Sequence, residues 1–106
     1  MSDQEKFLTD CVITIISDDY ESFEIILEQT RRLAVSRGLN VTEAEVAEAL
    51  RHAISEGFAE AHLLSPHPPH STRVEYSSEK LHELWFYVTP RGKNVAKSVP
   101  ELGGES

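Results

Sequence analysis

Leu84-Trp85-Phe86-Tyr87-Val88-Thr89-Pro90-Arg91-Gly92-Lys93-Asn94-Val95-Ala96 is the stretch on which the fold reading turns. Leu84, Phe86 and Val88 alternate with Trp85 and Tyr87, which is the period of an extended strand with apolar residues on both faces. At Thr89 the pattern stops. A threonine hydroxyl accepts backbone N–H bonds as an N-cap, and Pro90 stands where a missing N–H costs nothing. The segment predicts a strand over 84–88 running straight into a short helix over 90–98. Residues 99–106 read as a frayed tail.

Upstream, Thr42 followed three residues later by Glu45 makes a capping box, with Val41 and Val46 as a hydrophobic staple. The helix so started buries Val46, Ala49, Leu50, Ala53 and Ile54 on one face, and Gly57 ends it, with Phe58 folding back. Before it, Tyr20, Phe23, Ile26, Leu27, Thr30, Leu33 and Ala34 line one side of a helix expected over 20–37. Asp18 or Asp19 is its expected cap, Glu28 and Arg32 its surface ion pair, and Gly38 its stop. Phe7, Leu8, Cys11, Val12, Ile15 and Ile16 form the stripe of a first helix over 4–17. Val12, Ile13, Ile15 and Ile16 are β-branched, so Cys11–Ile16 also fits a strand, but strict alternation is absent. Ala59–Leu64 reads as a strand. The polar segment 65–83 is long for a hairpin loop; within it 73–76 can lengthen the hairpin and 78–82 can form a helical turn.

The order is helix, helix, helix, strand, long loop, strand, helix. It resembles the winged-helix (winged helix-turn-helix) domain superfamily, of the kind found in small bacterial transcriptional regulators. The exit 84–96 is similar to that family's aromatic-x-Leu-Thr-x-x-Gly-x-x-x-Ala pattern. Glu45-Val46-Ala47-Glu48-Ala49-Leu50-Arg51-His52-Ala53-Ile54-Ser55-Glu56-Gly57-Phe58 is similar to its recognition-helix segment. The second helix and the wing are longer than the family's. The resemblance implies an α+β fold with a three-helix core, a two-stranded antiparallel wing and a short C-terminal helix, all in one domain over 1–98. It also implies a third helix that enters the major groove of DNA and a wing that touches phosphate.

Charge opposes that last implication. The 106 residues carry a net charge of −8. Residues 1–29 hold Asp3, Glu5, Asp10, Asp18, Asp19, Glu21, Glu24 and Glu28 against Lys6 alone. The third helix itself carries Glu43, Glu45, Glu48 and Glu56 against Arg51. DNA affinity draws mostly on Lys and Arg at phosphates, so a helix of this charge is repelled. If DNA is bound, Arg51, Ser55, Arg73, Arg91 and Lys93 are the residues to carry it, aided by Lys80, Lys97, Arg31, Arg32 and Arg37.

The competing expectation is a non-enzymatic module that works through protein contact, as a homodimer or with another protein. Trp and Tyr are enriched at such interfaces, which singles out Trp85 and Tyr87, with Phe7 and Cys11 of the first helix. A third reading is a metal- or pH-responsive wing built on His62, His67 and His70 with His82; the spacing fits no standard site. A lone Cys11 suits a reducing compartment. The chain lacks a Gly-rich phosphate loop, a Ser-His-Asp set or a Cys-x-x-Cys pair, so no enzyme and no cofactor are expected. The start Met1-Ser2-Asp3 has no secretory character, and no apolar run approaches the ~20 residues that span a bilayer. A cytoplasmic protein without membrane contact is expected.

Overall fold

The computed structural model describes residues 3–97; the tail expected over 99–106 lies outside them. The elements are α1 (Asp3–Ile15), β1 (Glu21–Ser22), α2 (Phe23–Val35), α3 (Glu43–Ser55), β2 (Ala59–Leu64), β3 (Ser71–Val74), a 3-10 segment (Ser78–Glu83), β4 (Trp85–Val88) and α4 (Pro90–Lys97). The fold is α+β.

α1 is more central than its stripe implied. Leu8, Thr9, Asp10, Cys11, Val12 and Ile13 are all buried, because α2, α3 and α4 pack on it from different sides. Polar residues survive there by being bonded. The Thr9 hydroxyl donates to the Glu5 carbonyl at 2.9 Å and that of Thr14 to the Asp10 carbonyl at 2.8 Å. The Asp10 carboxylate takes the Lys6 ammonium at 2.8 Å.

α2 begins three residues later than the apolar pattern suggested. Ser22, not Asp18 or Asp19, is its N-cap, accepting from the Ile25 N–H at 3.4 Å. The cause is tertiary. Glu21 and Ser22 are held extended by pairing with Phe86 and Trp85 of β4, so a helix cannot start before Phe23. At its far end Gly38 takes φ 74°, and the Leu39 N–H reaches back to the Ala34 carbonyl at 2.9 Å. The Glu28–Arg32 pair forms at 2.8 Å.

α3 starts as its sequence dictates. The Thr42 hydroxyl accepts from the Glu45 N–H at 3.1 Å, and the Glu45 carboxylate accepts from the Thr42 N–H at 2.8 Å. Gly57 at φ 81° ends it, and the Phe58 N–H returns to the Ala53 carbonyl at 2.8 Å.

The expected two-stranded ribbon is part of a four-stranded antiparallel sheet of order β1-β4-β2-β3. β2 pairs with β4 on one side, Ala61 against Phe86, and with β3 on the other, Ala61 against Val74. The chain leaves β3 and crosses β2 to reach β4, in a strap over residues 75–84 whose Leu81 and Leu84 are buried. The inner face presents Ala59, Ala61, Phe86 and Val88 to the helices; all four are buried. The strand-to-helix exit is tied down by Thr89. Its hydroxyl accepts from the Gly92 N–H at 3.1 Å and donates to the Gly57 carbonyl at 2.6 Å, so α4 is pinned to the end of α3.

Candidate functional site

The outer face of the sheet collects most of the unusual side chains. Strand alternation turns Trp85 and Tyr87 of β4 away from the core. The register sets Tyr87 beside Glu60 and Trp85 beside His62, then His62 beside Arg73 and Leu64 beside Ser71. These residues therefore share one surface across three strands.

Tyr20 lies across this surface. Its ring stacks on Tyr87, with centroids 4.8 Å apart and planes at 27°. It meets His62 edge-on at 5.0 Å, and its hydroxyl stands 3.3 Å from the Ser71 hydroxyl. One side chain thus reaches from the segment before β1 to β3. Under it His62 is only 7% exposed. His62 Nε2 is 3.1 Å from Glu60 Oε1, and its buried Nδ1 has no partner. Arg73 approaches the same carboxylate at 3.8 Å, and the Lys93 ammonium sits 5.9 Å above the Tyr87 ring. Trp85 is 37% exposed and Leu64 40%. The face offers aromatic and apolar surface with a thin rim of charge, the composition of a protein-contact patch.

The cations named for DNA divide: Arg73 and Lys93 border the outer face of the sheet, whereas Arg51 is on α3. Arg51 is exposed on α3 and holds Glu48 through two bonds, at 2.9 and 2.5 Å, which cancels its charge within its own helix. Ser55 is exposed at the end of that helix. Arg73 lies on the outer face of the sheet, Arg91 covers the Phe58 ring at 5.2 Å, and Lys93 covers Tyr87. Around Arg51 the exposed residues Glu43, Glu45 and Glu48 leave α3 acidic.

The residues expected at an interface divide. Trp85 and Tyr87 share the outer face. Phe7 is half-buried on α1, its ring under the Arg37 guanidinium at 4.9 Å. Cys11 corrects an expectation: it is 0% exposed inside the helix cluster and offers nothing to a partner.

The three loop histidines do not form a cluster. His62 is sealed beneath Tyr20, whereas His67 and His70 are exposed in the β2–β3 connection, where His70 Nδ1 contacts the Ser65 carbonyl at 3.2 Å. Among the described residues no group of three or more His, Cys, Asp or Glu is placed to hold a metal ion. No described helix is long and apolar enough to cross a membrane.

Two participants escaped the sequence reading. Tyr20 fits the spacing of the buried side of α2, yet the neighbouring Asp18-Asp19 turn marks a chain still extended there. The sequence sets His82 among the loop histidines. Instead its Nδ1 bonds Glu24 Oε2 at the start of α2, and its Nε2 lies 3.6 Å from Glu43 Oε2 at the start of α3. No local sequence signal links residues 58 positions apart. Comparison with protein-family models, curated proteins and solved structures gives no match.

Proposed function

We propose that this chain is a winged-helix-like interaction module, without catalytic activity, that self-associates through the outer face of its sheet. The order of helices and strands supports the architecture. One observation carries the function: Trp85, Tyr87, Tyr20 and Leu64 are gathered on the outer face of the sheet, where Trp85 and Leu64 remain exposed beside the Tyr20–Tyr87 stack. Aromatic side chains supply large contact area at small entropic cost, and their exposure in a domain this small favours a partner. Self-association fits a face that carries both signs of charge at its rim, Glu60 with Arg73 and Lys93.

Light scattering of the purified chain tests this. The wild type is expected at dimer mass, and the double variant Trp85→Ser, Tyr87→Ser at monomer mass with unchanged circular dichroism. A monomer in both cases removes the self-association reading.

The alternative, a DNA-binding regulator using α3 and the wing, has against it the acidic surface of α3, where Arg51 is paired with Glu48. Titration of mixed duplex DNA at low salt tests it. Binding that weakens steeply with added salt would restore that reading and displace ours.

A further inference from the structure

We propose that His82 is a proton-gated clasp that fixes the strap, residues 75–84, to the starts of α2 and α3. The strap has two unequal halves. Its second half is anchored by Leu81 and Leu84, both buried. Its first half runs beside α3, where Tyr76, Ser77, Ser78 and Glu79 form one wall of a shallow groove and Ala44, Ala47, Glu48 and Arg51 the other. His82 sits where the strap passes the two helix starts. Its ring stands edge-on to Phe23 at 5.5 Å.

Two carboxylates on two helices thus share one imidazole. Only the imidazolium form carries a proton on both nitrogens. The neutral ring can donate to Glu24 or to Glu43 and turns a lone pair toward the other. Protonation therefore decides whether the strap is held to both helices or to one. The charged groups facing the ring are Glu24 from α2 and Glu43 from α3; Glu79, Lys80 and Glu83 lie on its own segment.

The bond to Glu24 raises the His82 pKa above its ordinary 6.5, with the charge of Glu24 and Glu43 adding to it, and the same bond lowers that of Glu24 below 4.5. A raised histidine contributes its stabilisation fully below 6.5 and loses it as pH climbs through the raised value. A lowered carboxylate contributes above 4.5 and loses it as pH falls through the depressed value. The clasp is fully closed between those two reference values and opens on the alkaline side. Opening leaves the strap held to one helix start instead of two and loosens its first half along the α3 groove. This holds whether or not the outer sheet face binds a second copy.

Amide hydrogen exchange of residues 75–84 between about pH 5.5 and 9, corrected for intrinsic rate, tests the clasp. Protection in the wild type is expected to fall roughly two- to fivefold across that range, the scale of an exposed ion pair. His82→Gln is expected to stay at the low level throughout, with β2 unchanged in both. Glu24→Gln should shrink the step and move it toward an ordinary histidine. A flat wild-type profile, or the same step in His82→Gln, overturns the proposal. If His82→Gln does not fold, Glu24→Gln and an NMR titration of the His82 ring decide. A wild-type midpoint at or below 6.5 is then fatal.

Discussion

A Cβ built on Gly92 would stand 2.1 Å from the carbonyl oxygen of Phe58 and 2.6 Å from Val88 Cγ2. That carbonyl cannot retreat, because it accepts the Thr89 N–H at 3.0 Å. The glycine in Thr-Pro-Arg-Gly is therefore a packing requirement, met where α4 crosses the turn between α3 and β2. Gly38 provides the contrast: a Cβ there meets nothing within 4 Å, and only its φ of 74° opposes a side chain. Gly38→Ala is expected to cost roughly 1–2 kcal/mol from left-handed strain. Gly92→Ala is expected to exceed it, since overpacking against fixed backbone costs about 1–3 kcal/mol or more. Urea denaturation of both variants checks the order; equal losses would mean that the exit yields.

The capping box of α3 makes a second prediction. Thr42 and Glu45 satisfy each other's backbone N–H groups, both side chains are exposed, and Glu45 also accepts from the Gln4 side-chain amide of α1 at 3.3 Å. Thr42→Ala should lower stability by about 0.5–2 kcal/mol. Because the two bonds are reciprocal, Thr42→Ala with Glu45→Ala should cost less than the sum of the single variants. Strict additivity in thermal unfolding would contradict the coupling.

What could be read in the sequence was what local chemistry decides. The Thr42–Glu45 box, the Gly38 and Gly57 stops and the alternation of Leu84 to Val88 each follow from residues within a turn or a strand, and each stands in the fold. The errors share another cause. Ser22 displaced Asp18 as a cap because β1 exists only through its pairing with β4, more than sixty positions away. The single stripe expected on α1 missed Thr9, Asp10 and Ile13, because three helices bury α1 from several sides and periodicity reports one. The outer face was half visible: Trp85 and Tyr87 declared themselves by alternation, whereas Tyr20 and the buried His62 joined them only through the register of the sheet.

Thr30 makes the third prediction. It is fully buried in α2, and its hydroxyl has no partner, unlike those of Thr9 and Thr14, which bond the carbonyl four residues back. A buried hydroxyl without a bond carries an uncompensated desolvation cost of about 1–3 kcal/mol. Valine has the same branched shape and no hydroxyl. Thr30→Val should raise the urea midpoint without changing the slope of the transition, by an amount near the lower end of that cost. A loss of stability would mean that the hydroxyl is bonded in solution.

Cys11 supplies the last prediction. The side chain is wholly enclosed on α1, and burial first, then the neighbouring Asp10 carboxylate, pushes its thiol up to about 12. The thiolate is the reactive form, so at neutral pH the native protein holds almost none of it, and what exists is out of reach. Labelling by a disulfide reagent should therefore proceed only as fast as the chain opens. Added urea should speed it in step with unfolding. Rapid labelling at neutral pH without denaturant would show that α1 leaves the helix cluster readily, and would argue that its burial by α2, α3 and α4 is a weak part of the fold.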